Sequence, residues 1–251
     1  MGREYFIAGN WKMFKTAAES RRFVRDLAAA FTAAPGLTVA VFPPFTSLAA
    51  VQGLDPKVRI GAQNMFYEEK GAFTGEISPL MLKDLVEYVL VGHSERREIF
   101  HEGDEDVNQK LLATLKAGLK PVLCVGETLP EREAGRTLDK IRGQLESNLA
   151  GVAGSQWARI AVAYEPIWAI GTGRNATPEQ AQEVHRFIRG LLEDKAPGNR
   201  IQVLYGGSVK PENSLELLSQ KDISGVLVGG ASLKVESFSA IIRSGLTLLG
   251  A

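Results

Sequence analysis

Short runs of apolar, often β-branched residues recur along the chain at Tyr5–Gly9, Leu37–Phe42, Val58–Gln63, Tyr88–Gly92, Pro121–Val125, Ile160–Tyr164, Gln202–Gly206 and Gly225–Gly229. Each is about one strand long. Each is apolar almost throughout rather than alternating, as strands covered on both faces are. Between the runs the apolar residues fall at helical spacing. Phe23, Val24, Leu27 and Phe31 predict a helix over Thr16–Phe31, and Val107, Leu111, Leu112 and Leu115 one over Glu105–Ala117. A third is predicted over Thr177–Lys195, with Ala181, Val184, Ile188, Leu191 and Leu192 as its inward stripe. Thr177 suits its N-cap, Pro178 the first helical position, and Gln180 can complete a capping box. Asn213–Ser219 and Glu236–Gly245 supply two more helices.

Strand followed by helix, repeated with no break in composition, means one parallel sheet. Eight such units in 251 residues predict an α/β fold, a single-domain (β/α)8 barrel over residues 1–251, with an open doubly wound sheet as the runner-up. One connection is long for a compact domain: Asn64–Ser78, carrying Gly71, Gly75 and the exposed-looking aromatics Phe66, Tyr67 and Phe73. Such a loop is expected to be a lid or a subunit contact.

The bulk composition narrows the function. Twenty-nine basic residues balance twenty-nine acidic ones, so no whole-chain field draws the protein to nucleic acid or an anionic membrane. No apolar run approaches a membrane span, and no signal-peptide pattern follows Arg3 and Glu4. The lone Cys124 sits in the apolar run Pro121–Val125, where a small buried hydrophobe is the expected role; one cysteine suits a reducing, cytoplasmic setting.

In a barrel of this kind the chemistry gathers at the C-terminal ends of the strands. Asn10, Trp11 and Lys12 follow the first run, and His93, Ser94, Glu95, Arg96 and Arg97 the fourth. Glu165 follows the sixth, with Pro166, Ile167, Trp168, Ala169, Ile170, Gly171, Thr172 and Gly173 behind it. Gly206, Gly207 and Ser208 end the seventh, and Gly229, Gly230, Ala231 and Ser232 the eighth. Amide, ammonium, imidazole and carboxylate groups thus arrive on one face. The two Gly-Gly steps, with a short helix starting near Ala231, offer backbone N–H groups to a phosphate.

Taken singly, each residue has a plainer reading. A strand-end Glu is more often a capping or surface residue, an isolated Lys a solvated charge, and a Gly-Gly step a turn. His101 and His185 are expected at the surface, and Glu102–Asp106 as a solvated helix start rather than a metal site. Gly171–Ala176 matches the letters of a dinucleotide fingerprint, but Pro166–Ile170 separate it from its strand. Neither a zinc-protease helix nor a phosphate-binding P-loop is present, and no metal is expected.

The segments Gly9–Met13, Gly92–Arg97, Tyr164–Gly173, Tyr205–Val209 and Gly229–Leu233, in that order, closely resemble the triosephosphate isomerase family, and the resemblance spans essentially the whole chain. It implies the (β/α)8 barrel (TIM barrel) and interconversion of dihydroxyacetone phosphate and glyceraldehyde 3-phosphate in glycolysis and gluconeogenesis. It also implies no cofactor or metal, and a cytosolic homodimer. The roles it carries belong to the family's known chemistry. Glu165 is the general base, His93 a neutral hydrogen-bond donor to the carbonyl oxygen, Lys12 the positive charge, Asn10 an orienting group and Glu95 a supporting residue. Phosphate falls to backbone N–H groups at Gly171, Ser208 and the Gly229-Gly230 step. The lid runs Pro166, Ile167, Trp168, Ala169, Ile170, Gly171, Thr172, Gly173, Arg174, Asn175 and Ala176, with Pro166–Trp168 and Arg174–Ala176 as hinges and Tyr205 and Ser208 as latches.

The same resemblance sends the loop Asn64–Ser78, with Thr74 and Glu76, into a partner subunit near Met13 and Lys12. Phe14 departs from the small or polar residue common there, and Arg174 stands where many members have Lys. Two other functions fit a phosphate-binding barrel. An epimerase-like enzyme on another phosphosugar would share the phosphate site but not the Glu165 lid. A catalytically silent barrel would be expected to have lost Lys12, His93 or Glu165.

Overall fold

Eight parallel strands close on themselves in sequence order. They are β1 (Tyr5–Asn10), β2 (Leu37–Phe42), β3 (Arg59–Ala62), β4 (Tyr88–Val91), β5 (Lys120–Val125), β6 (Ala161–Tyr164), β7 (Gln202–Tyr205) and β8 (Gly225–Val228). The closing pair is β1 with β8, in register from Phe6 against Gly225 to Gly9 against Val228. This computed structural model describes residues 2–170, 176–198 and 201–251. The expected strands are all present, each within a residue or two of its predicted bounds, and the open sheet is ruled out by closure.

Ten α-helices are described around the barrel: α1 (Ala17–Ala29), α2 (Phe45–Val51), α3 (Pro79–Leu82), α4 (Ser94–Ile99), α5 (Asp104–Lys116), α6 (Leu129–Glu133), α7 (Thr137–Asn148), α8 (Pro178–Lys195), α9 (Pro211–Ser219) and α10 (Val235–Leu249). Short 3-10 turns occupy Gly154–Arg159, Ile167–Ala169 and Gly230–Leu233. The expected cap of α8 is realised: Thr177 Oγ accepts from Gln180 N at 3.2 Å and Gln180 Oε1 from Thr177 N at 3.0 Å. The helices α2, α3, α4, α6 and α7 are short or weakly periodic, and the apolar pattern of the sequence does not mark them.

Side-chain alternation along the strands divides the core in two. Tyr5 and Ile7, Val39 and Val41, Leu123 and Val125 point outward beneath the helices. Phe6 and Ala8, Ala40 and Phe42, Val122 and Cys124, Ala161 and Ala163 fill the barrel itself. Large and small residues balance there. A Cβ on Gly61 would lie 2.2 Å from the Phe42 ring, so that glycine makes room for the phenyl group.

The loop from Asn64 to Ser78 is ordered by its own contacts. Phe66 N donates to Ile77 O at 2.8 Å, and the Phe66 ring packs 4.3 Å from Tyr67 and 4.6 Å from Phe73. Of these aromatics Phe73 is exposed, while Phe66 and Tyr67 are half-buried. At the loop's base the buried Lys110 ammonium donates to Asn64 Oδ1 at 3.0 Å and pairs with Glu102. Glu102 also takes Arg96 Nε at 2.5 Å, so its side chain is buried in an ion-pair cluster instead of solvated as expected. His101 is exposed. His185 corrects the surface expectation: it is fully buried, edge-on to Tyr164 at 5.9 Å, because its position on α8 faces the barrel wall.

Candidate active site

On four strands the inward parity runs to the strand end or just past it, into one cavity of about 350 Å³ at the C-terminal end of the barrel. Ala8 leads to Asn10, Ala163 to Glu165, Leu204 to Gly206 and Leu227 to Gly229, two residues on in each case. Lys12, His93, Gly207, Ser208 and Gly230 complete much of the lining. Five strands thus contribute to one pocket, as their ends predicted.

Asn10 is buried, and its Oδ1 accepts the Lys12 N–H at 3.0 Å. That turn holds Lys12 at φ 50°, an uncommon conformation for a non-glycine residue. Gln63, just past β3, supports it by donating to Lys12 O at 2.9 Å and Phe42 O at 2.7 Å. The Lys12 ammonium reaches across to pair with Glu95.

His93 is the N-cap of α4, and its Nδ1 accepts the Glu95 N–H at 3.3 Å. A neutral ring therefore carries its proton on Nε2, which faces Glu165 Oε1 at 3.1 Å. The other carboxylate oxygen of Glu165 takes the Ser94 N–H at 2.8 Å, at the start of the same helix. Glu165 is 2 % exposed, so these donors replace water around its charge.

Glycines leave space for this residue. A Cβ on Gly126 would fall 1.8 Å from the backbone carbonyl oxygen of Glu165, and one on Gly206 would fall 2.9 Å from its side-chain Cγ. Cys124 lies beside it; burial first, and then the Glu165 charge, push its thiol well above the usual range. It is thus a neutral, packed thiol.

Behind the pocket a second carboxylate, Glu127, is wholly buried. Its Oε1 accepts from Trp168 Nε1 at 2.8 Å, Tyr164 Oη at 3.1 Å and Arg132 Nη1 at 3.3 Å. The Arg132 guanidinium also stacks 4.7 Å from the Trp168 ring. Ser208 Oγ donates to Ala169 O at 2.7 Å. The near hinge of the expected lid is therefore fastened to the loops after both β5 and β7. Gly171, Thr172, Gly173, Arg174 and Asn175 lie outside the described residues.

At β8 the Gly229 carbonyl accepts Ser232 N at 2.9 Å and Ser232 Oγ at 2.7 Å, which closes the 3-10 turn Gly230–Leu233 at the rim of the cavity. A Cβ on Gly229 would lie 3.6 Å from Lys12 Cε, so the turn and the ammonium meet. Ser94, Gln63, Glu127, Arg132 and Lys210, which lines the cavity, were not proposed from sequence as working residues. Strand parity would have found Gln63; Glu127 gave no signal, because Tyr164 and Trp168 are remote from it in the chain. Among the described residues no group of three or more His, Cys, Asp or Glu could hold a metal ion, and no helix is long and apolar enough to cross a membrane.

The family model for triosephosphate isomerase matches residues 5–245. A triosephosphate isomerase of Carboxydothermus hydrogenoformans is 52% identical over 252 residues, covering 97% of this chain and all of its own. That of Geobacter metallireducens is 50% identical, covering 96% of this chain and 98% of its own. That of Roseiflexus castenholzii is 49% identical, with 96% and 97% covered. With the model matching from the first strand into the last helix, and identity near one half along the whole barrel, this chain belongs to the triosephosphate isomerase family.

Proposed function

We propose that the chain interconverts dihydroxyacetone phosphate and D-glyceraldehyde 3-phosphate through an enediolate, with Glu165 as the general base and residues 1–251 working as one barrel domain. The observation that carries this is the facing pair Glu165 Oε1 and His93 Nε2, 3.1 Å apart inside the cavity. A substrate entering between them puts its carbonyl oxygen at the imidazole N–H and its acidic C–H at the carboxylate. Glu165 takes the proton from the carbon beside the carbonyl, and negative charge collects on the oxygen. His93 Nε2–H donates to that oxygen, Asn10 orients it, and the Lys12 ammonium stabilises the charge as it forms. Glu165 then returns a proton to the neighbouring carbon.

Three features at rest must change for this to happen. Glu165 Oε1 and His93 Nε2 part to admit the substrate, Glu165 gives up Ser94 N–H, and Lys12 shares its charge between Glu95 and the substrate. Glu95 is in this reading the residue that parks the ammonium. Phosphate is held by backbone N–H groups at Ser208 and the Gly229-Gly230 step, with Gly171 of the lid as a further donor. Residues Pro166 to Ala176 close over it to exclude water. No cofactor or metal takes part.

We also assign a homodimer built on the loop Asn64–Ser78, acting in the cytoplasm in glycolysis and gluconeogenesis. Met13 is 94% exposed, and Phe14, Phe73 and Met81 are also exposed. Apolar side chains left so open around a structured loop favour burial against a second copy. A steady-state assay in both directions with a chelator present tests the reaction; absence of turnover refutes it. Turnover of a pentulose phosphate instead would favour the epimerase-like reading. Sedimentation tests the dimer, and a monomer at micromolar concentration refutes it.

A further inference from the structure

We propose that Arg97 is a positioning residue for this reaction: its guanidinium ties the ends of β4 and β5 to α4 and so fixes His93 and Glu165 relative to each other. The inference rests on the roles assigned above to those two side chains. Arg97 itself does not line the cavity.

Every face of the guanidinium is engaged. Nε donates to Gly92 O at 2.7 Å, and Nη2 donates to Cys124 O at 3.3 Å and Asn148 Oδ1 at 2.6 Å. Nη1 pairs with Asp104 Oδ1 at 2.6 Å, and Asn148 Nδ2 returns to the same oxygen at 2.8 Å. Asp104 and the buried Asn148 thus hold the guanidinium, and the guanidinium holds two strand-end carbonyls. Gly92 directly precedes His93. Cys124 pairs in register with Ala163, the inward residue before Glu165, and its thiol lies against that carboxylate. Arg97 belongs to α4, whose first N–H holds Glu165 and whose N-cap is His93.

Gly92 is shaped around this contact. It sits at φ 71°, and a Cβ on it would come 2.7 Å from Arg97 Nη2. The left-handed turn that sends His93 into the cavity and the space for the guanidinium are one requirement. A lysine could serve one carbonyl as a point charge but cannot span both.

Arg159 offers a matched control. It donates to Leu115 O at 3.4 Å and Leu119 O at 3.1 Å, joining α5 to the opposite end of β5. Arg97→Lys, Arg97→Met and Arg159→Lys are to be compared in the triose phosphate assay, by thermal unfolding and by ¹⁵N signals of the His93 ring. The expected result for both Arg97 variants is a fall in kcat of about tenfold or more, as small misplacements at a reacting centre produce. KM stays within about twofold, since the phosphate turn at β8 is untouched. The His93 signals lose the pattern of bare Nδ1 and protonated Nε2. Guanidinium ion added to Arg97→Ala restores part of kcat, while Arg159→Lys keeps the wild-type kcat whatever its melting temperature. Wild-type kcat and His93 signals in a folded Arg97 variant overturn the proposal, as does an equal loss of kcat in Arg159→Lys. Should the Arg97 variants not fold, Asn148→Ala, which frees the far side of the guanidinium, is judged by the same criteria. A wild-type protein without isomerase activity refutes the functional reading alone, because the His93 signals still decide on the clamp.

Discussion

Ser94 N–H donates to Glu165 Oε2 at 2.8 Å across 71 residues of sequence, so the first amide of α4 holds the carboxylate at rest. The same helix start carries His93, whose Nε2 stands 3.1 Å from the other oxygen. The reach of the glutamate side chain is thus set on both oxygens. Glu165→Asp withdraws the carboxylate by about one C–C bond, roughly 1.5 Å. It is expected to lower kcat by about a hundredfold or more, while KM and the melting temperature change little. Steady-state kinetics and thermal unfolding check this, and a fully active Glu165→Asp removes the base assignment.

Glycine substitutions separate crowding from chain entropy. Gly126→Ala drives a Cβ to 1.8 Å from Glu165 O, where only backbone movement relieves the clash. Its expected cost is about 3 kcal/mol or more, with loss of activity because the base moves. Gly143, inside α7, has nothing within 4 Å of such a Cβ. Gly143→Ala is expected to stabilise by about 0.5–1 kcal/mol and leave kcat unchanged. Urea unfolding of both variants tests the pair, and equal effects would contradict the geometry.

The contrast between those glycines shows what the chain discloses by itself. The strands were legible because each is buried on both faces and reads as an unbroken apolar run. Barrel closure followed from their number and spacing. Asn10, Glu165 and the two Gly-Gly steps were legible because they stand at or directly after the ends of the apolar runs, where such barrels gather their chemistry. His185 was misplaced because a histidine among charged neighbours on a helix looks solvated until the side of the helix facing the barrel is known. The contacts of Glu127 and Arg97 stayed hidden for a different reason. Each reaches partners 27 to 51 residues away, and no local spacing encodes such pairs.

Glu127 and Trp168 make the proposed lid hinge sensitive to a residue outside the cavity lining. Trp168→Phe deletes one donor to Glu127 but leaves Tyr164 and Arg132 in place. It is expected to cost about 1 kcal/mol in stability and a few-fold in kcat through a loosened hinge. Glu127→Ala strands the buried Tyr164 hydroxyl and the Arg132 charge together. Its expected loss is about 3–4 kcal/mol. Chemical denaturation ranks the two, and a Glu127→Ala no worse than Trp168→Phe would refute the shared-acceptor account.

The buried His185 sets an acid limit on the barrel. Burial first, and then the charge of Arg189, lower its pKa to about 3 against an ordinary 6.5, with the Asp222 backbone opposing. Its ring packs between Tyr164 at 5.9 Å and Tyr205 at 6.3 Å, where a charge finds little solvation. Above pH 6.5 the ring is neutral in folded and unfolded chains alike and contributes nothing to the pH dependence. Below that, the unfolded chain takes up a proton that the folded chain refuses. Stability therefore falls as pH drops, by about 1.4 kcal/mol per pH unit from this group, until the folded pKa is reached. His185→Phe keeps a flat ring of similar size against both tyrosines and removes the proton. Urea unfolding between pH 7 and pH 4.5 should show the variant gaining about 2–3 kcal/mol relative to the wild type as the pH falls. Parallel curves would mean that the folded protein admits the proton at His185 after all, and that Tyr164 and Tyr205 yield enough for water to reach it.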